Sequence, residues 1–170
     1  DQWREIRDSD LFTLDHKSDK MIRATKEKKF GTVGAVACDK DGNIAAATST
    51  GGMTNKQFGR IGDSPIIGIG TYANNKTCAI SCTGHGEPFI RAVVAHDVSC
   101  LMEYKNMNLK SACEEVVLKK LLALNGDGGL MAVIAEGNTA LVFNCAGMYR
   151  AVKSSDGTEL IAIYRDDSDK

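Results

Sequence analysis

The order of elements predicts an α+β fold, a mostly antiparallel sheet system with helices packed on an outer face. Three observations carry this. Short apolar segments come in pairs joined by Gly- and Asn-containing turns, two sequence-adjacent helical segments interrupt the pairs, and the chain changes character at Thr32 from charged to small and apolar.

Residues 1–6 read as the end of a helix. From Asp8 to Lys29 the chain is charged and short of apolar anchors, closing on Lys26-Glu27-Lys28-Lys29, and a mobile, protease-accessible segment is expected. The predicted division is therefore 1–31 as tail and linker and 32–170 as the packed unit. Val33 to Cys38 reads as a buried strand, Asp39 to Asn43 as a turn whose Asp-Gly step supplies positive φ, and Ile44 to Thr50 as the returning strand. Helix competes over the alanines of Ile44 to Ala47, but the flanking turn and the Thr-Ser-Thr tail favour the strand. A hairpin this rich in Gly and Ala lies beneath something that packs close.

Gly51 to Pro65 is a long irregular segment. Ile66–Ala73 and Thr77–Cys82 form a second hairpin through Asn74-Asn75-Lys76. Thr83-Gly84-His85-Gly86-Glu87 then leads into a helix from Pro88 to Met102, with Pro88 in the first turn where its missing N–H costs nothing. A second helix covers Leu109 to Leu124 and is broken by Asn125 to Gly129. Leu130–Ala135 and Thr139–Asn144 make a further hairpin around Glu136-Gly137-Asn138, and Leu160 to Tyr164 adds an edge strand.

At 170 residues, 43% hydrophobic and 25% charged, the chain has the composition of one ordinary globular domain. A formal charge of -1 gives no sign of a nucleic-acid partner, and no apolar run approaches the roughly 20 residues that cross a bilayer. The opening residues lack the pattern of a signal peptide, so a cytoplasmic location is expected and the Asn75-Lys76-Thr77 sequon is expected to go unused. The six cysteines lie mostly in apolar surroundings and read as buried free thiols, and the three histidines have no metal-binding spacing. His96 reads as a packed or surface side chain.

The chemistry gathers on hydroxyls. Antiparallel pairing of the first hairpin sets Thr32 beside Thr50, and a threonine whose preceding peptide bond is cut carries its own base in the new α-amine. Thr83-Gly84-His85-Gly86 before a helix places backbone N–H groups near one spot, a place to stabilise an oxyanion. Arg60 and Asp63 either pair with each other or bind the two ends of a zwitterion, and their spacing does not choose between the two.

Gly31-Thr32-Val33-Gly34-Ala35-Val36-Ala37, Ala47-Thr48-Ser49-Thr50-Gly51-Gly52, Asn55-Lys56, Gly59-Arg60-Ile61-Gly62-Asp63-Ser64-Pro65, Gly70-Thr71-Tyr72-Ala73 and Thr83-Gly84-His85-Gly86-Glu87 follow in the order and spacing of a known family. From Phe30 to Tyr164 the sequence resembles the plant-type asparaginase / isoaspartyl aminopeptidase branch of the N-terminal-nucleophile hydrolases. Glycosylasparaginase shares the Gly-Arg-x-Gly-Asp-Ser-Pro block and is the alternative, beside a non-catalytic or inactive precursor fragment.

The resemblance implies a four-layer αββα sandwich, of which this chain supplies about half. Residues 1–31 become the end of the α subunit and its linker, and 32–170 the β subunit. It implies cleavage between Gly31 and Thr32, with Thr32 as nucleophile and its α-amine as base. Thr50 tunes the Thr32 hydroxyl, and Thr83 and Gly84 form the oxyanion hole. Arg60 clamps the substrate α-carboxylate, while Asp63 and the Gly86 carbonyl take the α-ammonium. The implied substrates are asparagine and isoaspartyl dipeptides, without a catalytic cofactor. The implied partners are an α subunit or missing N-terminal half, which carries a structural sodium, and a second αβ unit. Alone, the chain is expected to leave an open sheet edge and an incomplete core.

Overall fold

The computed structural model describes residues 31–165. The helix end expected at 1–6 and the mobile segment expected over Asp8 to Lys29 lie outside the described residues.

β1 (Val33–Cys38) and β2 (Ile44–Ser49) form an antiparallel hairpin. Its turn is held by Asp39, whose Oδ1 accepts the N–H groups of Asp41 at 2.9 Å and Asn43 at 2.8 Å, with Gly42 at φ +80°. A four-stranded antiparallel sheet follows in the order β3 (Thr71–Ala73), β4 (Ala79–Gly84), β5 (Gly128–Val133), β6 (Thr139–Phe143). Helices cover one of its faces and the β1–β2 hairpin meets the other. Strand alternation explains this. In β4, Ile80 and Cys82 turn into the core shared with Phe89, Val94, Val98 and Val117 of the helices, while Ala79 packs with Ile44 and Val133 on the hairpin side. The fold is thus α+β.

Four elements differ from the sequence-based expectation. The arm expected from Ile66 to Gly70 is a turn with Gly68 at φ +86°, and only Thr71–Ala73 is strand. The helix expected from Pro88 to Met102 is two, α1 (Gly86–Ala92) and α2 (Val94–Lys105), parted by Val93 at φ +50°. One cause links both departures. The carbonyls of Gly68 and Ile69 accept the N–H groups of His96 (2.7 Å) and Ala95 (3.2 Å), so the turn caps the start of α2 and redirects the chain.

The second helical run is continuous, but between α3 (Leu109–Glu114) and α4 (Leu121–Ala123) it widens into a π-helical segment, Glu115–Lys120. Asn144 explains it. Its Nδ2 donates to the carbonyls of Val117 (3.1 Å) and Gly126 (3.0 Å), while its Oδ1 accepts the N–H of Gly128 (2.8 Å). Lastly, β8 (Glu159–Ala162) pairs with β7 (Arg150–Lys153), a strand that the charged ends of Arg-Ala-Val-Lys do not announce. No helix of the described residues is long and apolar enough to cross a membrane.

Candidate active site

The site is built where the two sheets face each other. On the inner side of the hairpin Thr48 reaches β4, its Oγ1 2.7 Å from Ser81 Oγ and donating to the Gly70 carbonyl at 3.2 Å. Gly34 is glycine because of this contact, since a Cβ there would come 2.0 Å from Ser81 Oγ. Two residues further along each strand, alternation brings the same faces to Thr32, Thr50 and Thr83. The β1–β2 register, Val33 opposite Ser49, runs on to set Thr32 across from Thr50.

These threonines line one pocket of about 380 Å³, together with Gly31, Gly84, Arg60 and Asp63. Of the residues singled out in the sequence, Gly86 alone is not in its wall. Gly86 stands directly behind, where a Cβ would meet Asp63 N at 2.9 Å, Asp63 Oδ1 at 3.0 Å and Arg60 Nη2 at 3.1 Å. Gly84 has φ +151°, and a Cβ there would fall 2.4 Å from the Asp127 carbonyl, so only glycine lets β4 and β5 close at this point.

Arg60 and Asp63 do not satisfy each other. Arg60 donates from Nε and Nη2 to the two carboxylate oxygens of Glu87, at 2.8 and 3.1 Å, a bidentate pair at the start of α1. That hydrogen bonding holds the Glu87 carboxyl below its ordinary value of 4.5. Asp63 is 5% exposed, and its Oδ2 is buried without a hydrogen-bond partner among the described residues. Burial raises its carboxyl above the ordinary 3.8, against the opposing pull of its own backbone N–H, of Arg60 and of the Ser64 N–H. A buried, unpartnered acceptor beside a fixed guanidinium suits an ammonium on the same small molecule as a carboxylate.

Glu87 and Ser81 have no role in the sequence reading, and Thr48 enters it only as one of the clustered hydroxyls beside Thr50. Glu87 had a local signal, a carboxylate in the first turn of a helix, where acidic groups are stabilised. The Thr48–Ser81 contact had none, because it joins different sheets. His85 Nε2 stands 3.2 Å from Glu87 Oε2. The six cysteines are free thiols. Burial pushes Cys78 up to about 11 and also raises Cys82 and Cys113, which leaves these as inert core thiols. Among the described residues no group of three or more His, Cys, Asp and Glu side chains is arranged to hold a metal ion.

The class this fold and pocket define is matched by family comparison. The asparaginase family pattern covers residues 1–163, and the chain belongs to that family. It is 58% identical over 144 residues to a protein named isoaspartyl peptidase from Escherichia coli, a match covering 85% of this chain and 45% of the relative. To the isoaspartyl peptidase of Salmonella typhimurium it is 61% identical over 139 residues, 82% of this chain and 44% of the relative. A probable isoaspartyl peptidase/L-asparaginase 2 of Arabidopsis thaliana is 50% identical over 133 residues, 78% of this chain and 40% of the relative. The chain thus spans less than half the length of each of these curated relatives.

Proposed function

We propose that the protein hydrolyses the side-chain amide of L-asparagine and the β-linked peptide bond of isoaspartyl dipeptides, after cutting itself between Gly31 and Thr32. The observation that carries this reading is the pocket itself. One wall offers Thr32 at a Gly-Thr junction, and another offers Arg60 beside Asp63, whose buried Oδ2 has no hydrogen-bond partner among the described residues.

In maturation Thr32 Oγ attacks the Gly31 carbonyl, an N-to-O acyl shift gives an ester, and water releases residues 1–31 from the new N-terminal Thr32. In turnover Arg60 takes the substrate α-carboxylate and Asp63, with the Gly86 carbonyl, the α-ammonium. The freed α-amine of Thr32 accepts the hydroxyl proton as Oγ attacks the β-carbonyl. Thr50 holds the hydroxyl, and the Thr83 side chain and Gly84 N–H receive the oxyanion. Collapse passes the proton to the leaving nitrogen, and water then frees aspartate from the Thr32 ester.

The outer face of β1–β2 supports the wider architecture. Val33 is 70% exposed, and Ala35, Ala37, Ala45 and Ala47 beside it are exposed as well. An apolar sheet face of this kind suits cover by further chain. We infer that it lies inside a four-layer αββα sandwich completed by an α subunit, which carries a structural sodium, and that αβ units pair as dimers in the cytoplasm.

The test uses the full-length protein. Intact mass should show a cut at Gly31–Thr32, and the cleaved form should release ammonia from L-asparagine and free amino acid from β-aspartyl dipeptides. Release of N-acetylglucosamine from glycosylated asparagine without dipeptide turnover would assign it to glycosylasparaginase instead. Absence of both cut and turnover would leave a non-catalytic protein.

A further inference from the structure

Among the described residues lining the pocket, two carry positive charge, Arg60 and Lys56. They are anchored on different elements. Arg60 is held by Glu87 at the start of α1, next to the strand that bears Thr83 and Gly84. Lys56 is held at the end of β2. Its Nζ donates to the Gly51 carbonyl at 3.0 Å, and a Cβ on Gly52 would come 3.0 Å from the same nitrogen. The Gly52 N–H in turn donates to Thr50 Oγ1 at 3.0 Å, so the ammonium is tied to the turn that carries Thr50. Both cations line the same pocket as the three threonines.

This arrangement bears on the substrate, given the functional reading above. Asparagine has one carboxylate, which Arg60 would take, and its leaving group is ammonia. A β-aspartyl dipeptide has a second carboxylate, on the amino acid that leaves. That anion must be carried on the side of the nucleophile away from Arg60, and burying it without a cation is costly. We propose that Lys56 is a specificity-determining residue that receives the carboxylate of the leaving amino acid. An ammonium on a flexible four-carbon stem suits the task, because it follows leaving groups of different size where a planar guanidinium would fix one geometry. Gly52, at φ +81° and without a Cβ, lets the Lys56 ammonium lie against the turn that follows Thr50.

The experiment compares kcat/KM of the cleaved full-length protein for β-aspartyl-leucine, for the same dipeptide with its C-terminal carboxylate amidated, and for L-asparagine. Lys56→Met should lower the ratio of dipeptide to amidated dipeptide about fivefold, and the ratio of dipeptide to asparagine by the same factor, the scale of one partly exposed charge contact. Lys56→Arg should keep both ratios near wild type. Unchanged ratios in Lys56→Met, or an equal fall on all three substrates, overturn the assignment while leaving the hydrolase reading intact. No turnover of any of the three by the wild-type protein overturns the hydrolase reading itself, and the role of Lys56 with it.

Discussion

The four-stranded sheet and the β1–β2 hairpin are both antiparallel and both reach the pocket, yet they are held in different ways. The larger sheet lies between the helices and the hairpin, and Ile80, Cys82, Leu130 and Ala132 in its central strands are essentially inaccessible. The hairpin buries one face only, and much of its attachment is polar: Thr48 to Ser81 and Gly70, Ile44 N–H to Asn75 Oδ1 (3.1 Å), and the Cys38 thiol to the Ala135 carbonyl (3.3 Å). The strand bearing Thr83 and Gly84 therefore takes its position from a large packed core, whereas the strand bearing Thr32 takes its position from its pairing with β2, a small apolar contact of Val36 and Cys38 with Ile44, Ala79 and Val133, and a few hydrogen bonds. Damage near the first should register as lost stability. Damage to the second should register mainly as lost activity.

The sharpest test removes the Thr32 hydroxyl. Thr32→Ala should abolish cleavage and lower turnover by at least about 10³-fold, since no other group replaces nucleophile and leading hydroxyl. Thr32 is at the hairpin end and only partly buried, so its melting temperature should stay within about 2 °C of the uncleaved parent. Turnover surviving in this variant would remove Thr32 from its role. On the other sheet, Asn144→Ala should cost about 2–4 kcal/mol in denaturant titration. It strands the carbonyls of Val117 and Gly126 and the N–H of Gly128, the residue paired with Gly84. A cost under about 0.5 kcal/mol would mean that the π-helical segment keeps its shape without Asn144.

The link between the sheets comes next in size. Thr48→Val keeps the shape but leaves Ser81, 3% exposed, without its hydroxyl partner, at a cost of about 1–2 kcal/mol. Because Thr48 sets how closely the Thr32–Thr50 rung approaches Thr83, kcat should fall about tenfold with KM little changed, and Thr48→Ser should restore it. Equal losses in the Val and Ser variants would show that the methyl packing matters and the hydrogen bond does not.

What the sequence made readable, and what it hid, follows the same line between local and distant causes. The pairing of Thr32 with Thr50 was available because a short Asp-Gly turn fixes the register of both strands around it. The start of α1 was available within a residue or two from Thr83 to Pro88. The break at Val93 was not, because the carbonyls that cause it belong to Gly68 and Ile69 in another part of the chain. Helical periodicity carries through Glu115 to Lys120, and only Asn144, arriving from the end of β6, reveals why the helix widens there. In the pocket, the residue types at Arg60 and Asp63 suggested a zwitterion, but their mutual pairing stayed open until Glu87, 27 residues along, proved to hold the arginine.

The smallest expected effects concern the two carboxylates beside Arg60, which shift in opposite directions. Arg60 lowers Glu87, so this pair contributes stability that is present above the ordinary 4.5 and lost as pH falls through the lower folded value. Glu87→Gln should therefore be less stable than wild type near pH 7, by no more than about 1 kcal/mol because the side chain is 46% exposed, and the difference should close in acid. Burial raises Asp63, so its contribution has the reverse sign: it is fully present below the ordinary 3.8 and is lost as pH rises through the raised folded value. Asp63→Asn should then be at least as stable as wild type at pH 7 while binding substrate more weakly, which would appear in KM. Thermal melts of both variants across pH 3–8 give the answer. A Glu87→Gln penalty that persists unchanged in acid would show that packing, not charge, links Glu87 to Arg60, and an Asp63→Asn variant less stable at pH 7 would show that hydrogen bonding to Asp63 outweighs its burial.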